Sequence, residues 1–222
     1  SLWSKGKGGS SQDWFIEAYR RQNISFDKIF AWEPTPHTEE EIGANVPPAV
    51  REVLHYFNVA VDSAPGAQNN PLRLLREVAC ADDFVVFKVD VDAITVEATL
   101  IEQILADNAL SGLIDELYFE DHVVDSPMVE KGWDITLREP HNRRAKPRLL
   151  SESYRLFQLL RMRGIRALQA GQGDLAASGA ATRRDSDIAE RRRPRRHLPR
   201  VRARGRIAAG QRARPRPSGD EP

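Results

Sequence analysis

Apolar positions along this chain follow two rhythms. Short runs of β-branched and aromatic residues alternate with longer stretches in which apolar side chains recur every three or four positions. The first pattern reads as strand and the second as helix. The strongest strand signal is Asp83-Phe84-Val85-Val86-Phe87-Lys88-Val89-Asp90-Val91-Asp92. It is apolar on both faces, as a parallel strand covered by helices must be, and it ends in acids. Lys28-Ile29-Phe30-Ala31-Trp32-Glu33-Pro34 has the same grammar. A third strand is predicted over His55–Val61, closed by Asp62-Ser63-Ala64-Pro65-Gly66, and a fourth over Asp115–His122. Ile165-Arg166-Ala167-Leu168 opens a last one.

Helices fill the spaces between. One runs from Gln12 to about Gln22, with Ser10 or Ser11 as its cap and Trp14, Phe15, Ala18 and Tyr19 as its apolar stripe. Pro47 and Pro48 suit the first turn of a helix through Leu54. Asn70 caps a helix from Pro71 to about Val78. Val96, Leu100, Ile101, Ile104 and Leu105 share one helical face. Ser151 caps a helix through Tyr154, Leu156, Phe157, Leu159 and Leu160, which Gly164 closes. Residues 1–11 read as a Gly/Ser/Lys loop and residues 123–148 as a long polar connection of the kind that often serves function.

This alternation predicts an α/β fold: a mainly parallel sheet with helices on both faces and right-handed crossovers. The domain covers residues 1–169. From Ala170 onward Ala, Gly, Arg and Pro take over and aromatics vanish, so residues 170–222 are expected to be a disordered Arg-rich tail. The tail holds 14 Arg, no Lys and six acidic residues, a surplus of eight positive charges; with a net charge of +1 for the chain, residues 1–169 carry −7. Runs such as Arg191-Arg192-Arg193-Pro194-Arg195-Arg196 suit weak, non-specific contact with nucleic-acid phosphates. They lack the interleaved aromatics of specific single-strand recognition. A solvated tail, or an out-of-frame reading of a GC-rich gene, gives the same composition. One cysteine, Cys80, excludes a disulfide framework, and its apolar neighbours predict a small buried side chain. No apolar run is long enough to cross a bilayer. Compartment stays open, with a soluble intracellular protein favoured.

Candidate chemistry gathers at the strand ends, where open α/β sheets bind ligands. Glu33 could accept hydrogen bonds from the vicinal hydroxyls of a ribose, or be a solvated acid; Gly6, Gly8 and Gly9 follow no strand and form no dinucleotide fingerprint. Alternation puts Asp90 and Asp92 on one side of the chain. They could contact a cofactor or substrate, clamp a divalent cation as in a sugar-nucleotide transferase, or favour the start of the next helix. Within Glu120-Asp121-His122, His122 could act as a base or orient a substrate. Asp62 and Ser63 could touch an adenine or its ribose.

In their order and spacing, several segments resemble the FkbM-type branch of S-adenosylmethionine-dependent methyltransferases, in particular its algal and plant methyltransferase-like members. They are Phe26–Pro34, Asn58–Val61, Asp83–Asp92 with Glu97, Asp115–Val123, Ser153-Tyr154, Leu160-Arg161 and Gly164–Ala167, and the similarity spans roughly residues 10–168. The resemblance implies a seven-stranded Rossmann-like sheet with the cofactor at its carboxyl edge. Glu33 would bind the ribose, and Asp90 would end the strand nearest the transferred methyl. The family's first strand and glycine motif would precede Ser1, so the domain would be truncated at its amino end, and the slot left in mid-sheet would weaken cofactor binding and turnover. The usual Asp-Val-Glu-Gly-Ala-Glu continuation is here Asp90-Val91-Asp92-Ala93-Ile94-Thr95. The implied reaction moves a methyl group to an O or N of a small-molecule or glycan acceptor, assisted by Asp90 or His122. Two alternatives stand beside it: the metal-dependent transferase using Asp90 and Asp92, and a non-enzymatic binding module with an Arg-rich tail.

Overall fold

The computed structural model describes residues 12–124 and 140–169. The readings of residues 1–11, of most of the polar connection and of the basic tail lie outside the described residues. The elements in chain order are α1 (Gln12–Arg20), β1 (Ile29–Trp32), α2 (Glu39–Asn45), α3 (Pro48–Arg51), β2 (Leu54–Phe57), α4 (Pro71–Val78), β3 (Val86–Val89), α5 (Ile94–Ala106), α6 (Asn108–Ser111), β4 (Glu116–Phe119), a 3₁₀ turn (Pro140–Asn142), α7 (Leu150–Met162) and β5 (Arg166–Gln169).

Every ladder between these strands is parallel, so the α/β class holds. The strands form two sheets rather than the single one expected. β1 pairs with β2, and β3, β4 and β5 pair in that order. In the smaller sheet, register brings aromatic partners face to face: Phe30 stacks on His55 at 4.8 Å and Trp32 on Phe57 at 5.0 Å. Such directly opposed pairs are the unit of sheet stabilisation.

The larger sheet carries the core. Leu117 and Phe119 of the central strand β4 are fully buried, with Val89, Leu100, Ile101, Ile104, Leu110, Leu160 and Ile165 around them. The α5 stripe faces this core as expected. Gly164, at φ +87°, ends α7: its amide donates to the Arg161 carbonyl and that of Ile165 to the Leu160 carbonyl. These two bonds are the Schellman arrangement that a left-handed glycine permits. On α1, Phe15 and Tyr19 pack edge-to-face with each other, and Tyr19 does so also with Phe26 and Phe84.

The α4 cap forms as expected. Asn70 Oδ1 accepts from the amides of Leu72 (2.8 Å) and Arg73 (3.4 Å), while Nδ2 donates to the Ala64 carbonyl at 3.0 Å. Asn70 is only 1% exposed. Asn70→Ala is therefore expected to lower stability by about 1–2 kcal/mol, the upper part of the usual cap range, read as a shift of the urea midpoint at unchanged slope.

Four local expectations are corrected, and one helix went unread. The cap expected at Ser151 lies inside α7, whose N-cap is Leu149. The helix expected through Leu54 stops at Arg51, because the Val53 carbonyl accepts the Ile29 amide at 2.8 Å and commits the next residues to the sheet. β2 ends at Phe57, not Val61. α2 was legible but unread: Thr38 and Glu41 form a reciprocal capping box, with Glu41 N–H to Thr38 Oγ1 at 3.1 Å and Thr38 N–H to Glu41 Oε2 at 2.8 Å. Cys80 is exposed rather than buried. It lies past the end of α4 in a turn, where its amide donates to Asp83 Oδ2. Among the described residues no helix is long and apolar enough to cross a membrane.

Candidate functional site

The carboxyl ends of β3 and β4 bring together Asp90, Asp92, Glu120 and His122, with Glu97 of α5 beside them. β3 ends at Val89, and Asp90-Val91-Asp92-Ala93 turn the chain into α5. The alternation expected for Asp90 and Asp92 breaks here. Asp92 adopts φ +58°, a left-handed conformation that Asp tolerates better than most residues. The two carboxylates then serve different partners. Asp90 pairs with Lys88 Nζ, two residues back along β3. Asp92 Oδ1 lies 3.6 Å from His122 Nε2, just past the end of β4.

Three further groups hold this turn. Glu97 sits on the apolar stripe of α5 and is 2% exposed. Its Oε1 accepts from the amides of Val91 (2.8 Å) and Asp92 (3.1 Å). On the other side, the Asp92 carbonyl lies 2.8 Å from both Asn142 Nδ2 and His141 Nε2 of the 3₁₀ turn. Asn142 Oδ1 in turn accepts the first amide of α5, that of Ile94, at 3.0 Å. A left-handed aspartate is thus fixed through its N–H and its C=O by side chains from two other elements.

Burial sets the protonation of the cluster. It pushes the Glu97 carboxyl up; the Val91 amide and the His122 charge oppose it and Asp90 and Asp92 reinforce it, so the group rests at about 7. Glu120 is likewise pushed up to about 7, by burial first and then by the nearby Asp90 carboxylate. Burial works against charge on His122, but the nearby carboxylates of Asp92, Glu120 and Glu97 outweigh it and raise its pKa. Glu120 Oε1 stands 3.9 Å from His122 Nε2. A proton can therefore sit on Glu97, Glu120 or His122 near neutral pH, a condition suited to acid–base work.

Asp90 and His122 lie at this same strand edge, each beside Glu120, and the other candidates lie elsewhere. Glu33 follows β1, in the smaller sheet. Burial raises its pKa, but the Thr35 amide bonded to its Oε1 at 2.9 Å, together with His37, brings it below the usual range. Its carbonyl accepts from Asn58 Nδ2 at 2.8 Å, so Asn58 fixes this strand end. Asp62 and Ser63 lie beyond β2 in a loop with local duties: Asp62 Oδ1 accepts from the Ala64 amide, and the Ser63 carbonyl from Gln103 of α5. Asp121 is turned to Arg148, at 2.8 Å.

No protein-family model, curated protein or solved structure matches this chain. The site therefore rests on its own geometry. Among the described residues no three His, Cys, Asp or Glu are grouped so as to hold a metal ion, and the separate duties of Asp90 and Asp92 give the cation clamp no support. Sequence reasoning overlooked Asn142 and His141, which sit in a polar stretch without periodicity. Glu97 entered it only through the resemblance, although a carboxylate on an apolar helical stripe is a signal in its own right.

Proposed function

We propose that the chain is a Rossmann-like, S-adenosylmethionine-dependent methyltransferase domain acting on an O or N of a small-molecule or glycan acceptor. One observation carries this reading: the succession of strands. The chain passes from β1 to β2 in one sheet and from β3 through β4 to β5 in the other. Glu33 and Asp90 follow the last residues of β1 and β3, the first strand of each succession. In an open α/β sheet, ligands gather at carboxyl ends where the winding changes direction. A strand placed between β1 and β3 would make one sheet of the two, with both acids at that switch point.

The donor set suits the cofactor chemically. Carboxylates can take both hydroxyls of a ribose and favour a sulfonium cation nearby. When bound, S-adenosylmethionine supplies an electrophilic methyl group. Glu33 would hold the ribose, and Asp90 would lie on the sulfonium side. The acceptor's proton would pass to Glu120, poised near neutrality beside His122, so the base is better assigned to this pair than to His122 alone. Asp62 and Ser63 play no part in this assignment, since neighbouring backbone and α5 engage them.

Titration calorimetry with S-adenosylmethionine tests the proposal. Binding is expected, and Glu33→Ala should weaken it about tenfold or more, the loss of a charge-assisted hydrogen bond being worth ~1.5–3 kcal/mol. No binding, either by this chain or by a form lengthened at its amino end, would overturn the reading.

A further inference from the structure

We propose that Asn142 is a positioning residue: by holding the Asp92 carbonyl, it keeps the Asp92 carboxylate beside the His122 imidazole and so couples the 3₁₀ turn to the β3–β4 strand ends. The inference does not depend on what the site binds.

The geometry runs as a chain of contacts. Asn142 is 4% exposed although it sits in a three-residue turn. Its amide engages both ends of the β3–α5 connection, with Nδ2 on the Asp92 carbonyl and Oδ1 on the Ile94 amide. These contacts span 50 and 48 residues of sequence, so they serve no local turn. The conformation they hold needs holding: a non-glycine residue at φ near +60° lies about 1 kcal/mol or more above the ordinary basins. Were Asp92 released to relax, its side chain would leave the direction that brings Oδ1 to 3.6 Å from His122 Nε2.

Asp92 is the member of the cluster best placed to transmit such a change. Its side chain is 65% exposed, whereas that of His122 is 4% exposed. Among the described residues, the charged groups facing His122 are Asp92 from the turn, Glu97 from α5 and Glu120 from the end of β4, while His141 shares the Asp92 carbonyl with Asn142. Glu97 and Glu120 stay where α5 and β4 put them. Of the three, Asp92 is the one whose backbone the 3₁₀ turn holds among the described residues.

The experiment follows the His122 imidazole through pH by NMR in the wild type, Asn142→Leu, Asp92→Asn and the double variant. Asn142→Leu keeps volume but loses both hydrogen bonds. Removing a negative neighbour from a buried imidazole lowers its pKa, so each single variant should shift the His122 midpoint down by about one pH unit. The double variant should fall no further than Asp92→Asn, because two residues acting through one contact do not add. An unshifted midpoint in Asn142→Leu, or additive shifts, would overturn the proposal. Should Asn142→Leu fail to fold by circular dichroism, Asn142→Ser is decided by the same criteria.

Discussion

Stability is expected to peak near pH 5 and to fall by several kcal/mol by pH 8. Glu97 shows the effect most directly. Its carboxyl rests at about 7 in the folded protein against 4.5 as an ordinary glutamate. Between those values the native state holds a proton that the unfolded state has given up, so raising pH favours unfolding. A shift of that size corresponds to about 3 kcal/mol once both states are ionised. Glu120 acts in the same direction, also being raised to about 7. So does His122: its folded pKa is raised, so its contribution is complete below the unfolded value and is lost as pH rises through the folded one. On the acid side the sign reverses. Glu33 and Asp107 are lowered in the folded state, and what they contribute is lost as pH falls through their folded values. Urea midpoints at pH 5, 6, 7 and 8 measure the profile. In Glu97→Gln the acceptor for the Val91 and Asp92 amides survives and the titration does not, so the slope between pH 5 and 7 should shrink by up to ~1.4 kcal/mol per unit. A wild-type profile that is flat or rises from pH 5 to 8 would refute the argument.

A chain that keeps a carboxylate on the inner stripe of its main core helix forgoes that stability for some other reason. The apolar alternative is ready in the sequence, since Ile94, Leu100, Ile101 and Ile104 occupy the same face. Glu97 differs from them in serving the Asp92 turn, and the turn serves His122. Local departures from the rules of good packing are where function is usually found. This departure coincides with the acidic strand end that the sequence singled out.

What was legible in the sequence was whatever rests on nearest neighbours. The β-branched and aromatic runs gave the strands, the Asn70-Pro71 pair gave the start of α4, and Gly164 gave the end of α7. The acids after β1 and β3 were visible because they terminate those runs. What rests on distant partners was not legible. Nothing in Pro140-His141-Asn142 announces a partner 50 residues away. The left-handed turn at Asp92 arises from that partner and from Glu97, so alternation alone misplaced its side chain. The division into two sheets is likewise a matter of which edges meet, and strand patterning carries no information about that. Cys80 shows the same limit on a small scale: apolar neighbours in sequence did not place it in the core, because α4 had already ended.

Tyr19→Ala is expected to cost about 4 kcal/mol, within the range for removing a large buried aromatic side chain. Tyr19 is 3% exposed and joins α1 to the amino end of β4, across 97 residues of sequence. Its hydroxyl donates to Glu116 Oε2 at 2.5 Å and lies 3.2 Å from the Tyr118 hydroxyl. Burial, with Glu116 beside it, pushes its pKa far above the ordinary tyrosine value, so the group remains a donor at every pH the fold survives. Arg166 of β5 holds the other Glu116 oxygen at 2.6 Å. Two strands and one helix therefore meet on a single buried carboxylate. Tyr19→Phe separates the ring from the hydroxyl: it keeps the contacts with Phe15, Phe26 and Phe84 but leaves one carboxylate oxygen without its donor. That loss should cost about 1–3 kcal/mol, read from urea midpoints at constant slope. If Tyr19→Phe is neutral, Arg166 alone satisfies Glu116 and α1 is held by its ring contacts only. If it costs as much as Tyr19→Ala, the carboxylate rather than the aromatic cluster is what binds α1 to the sheet.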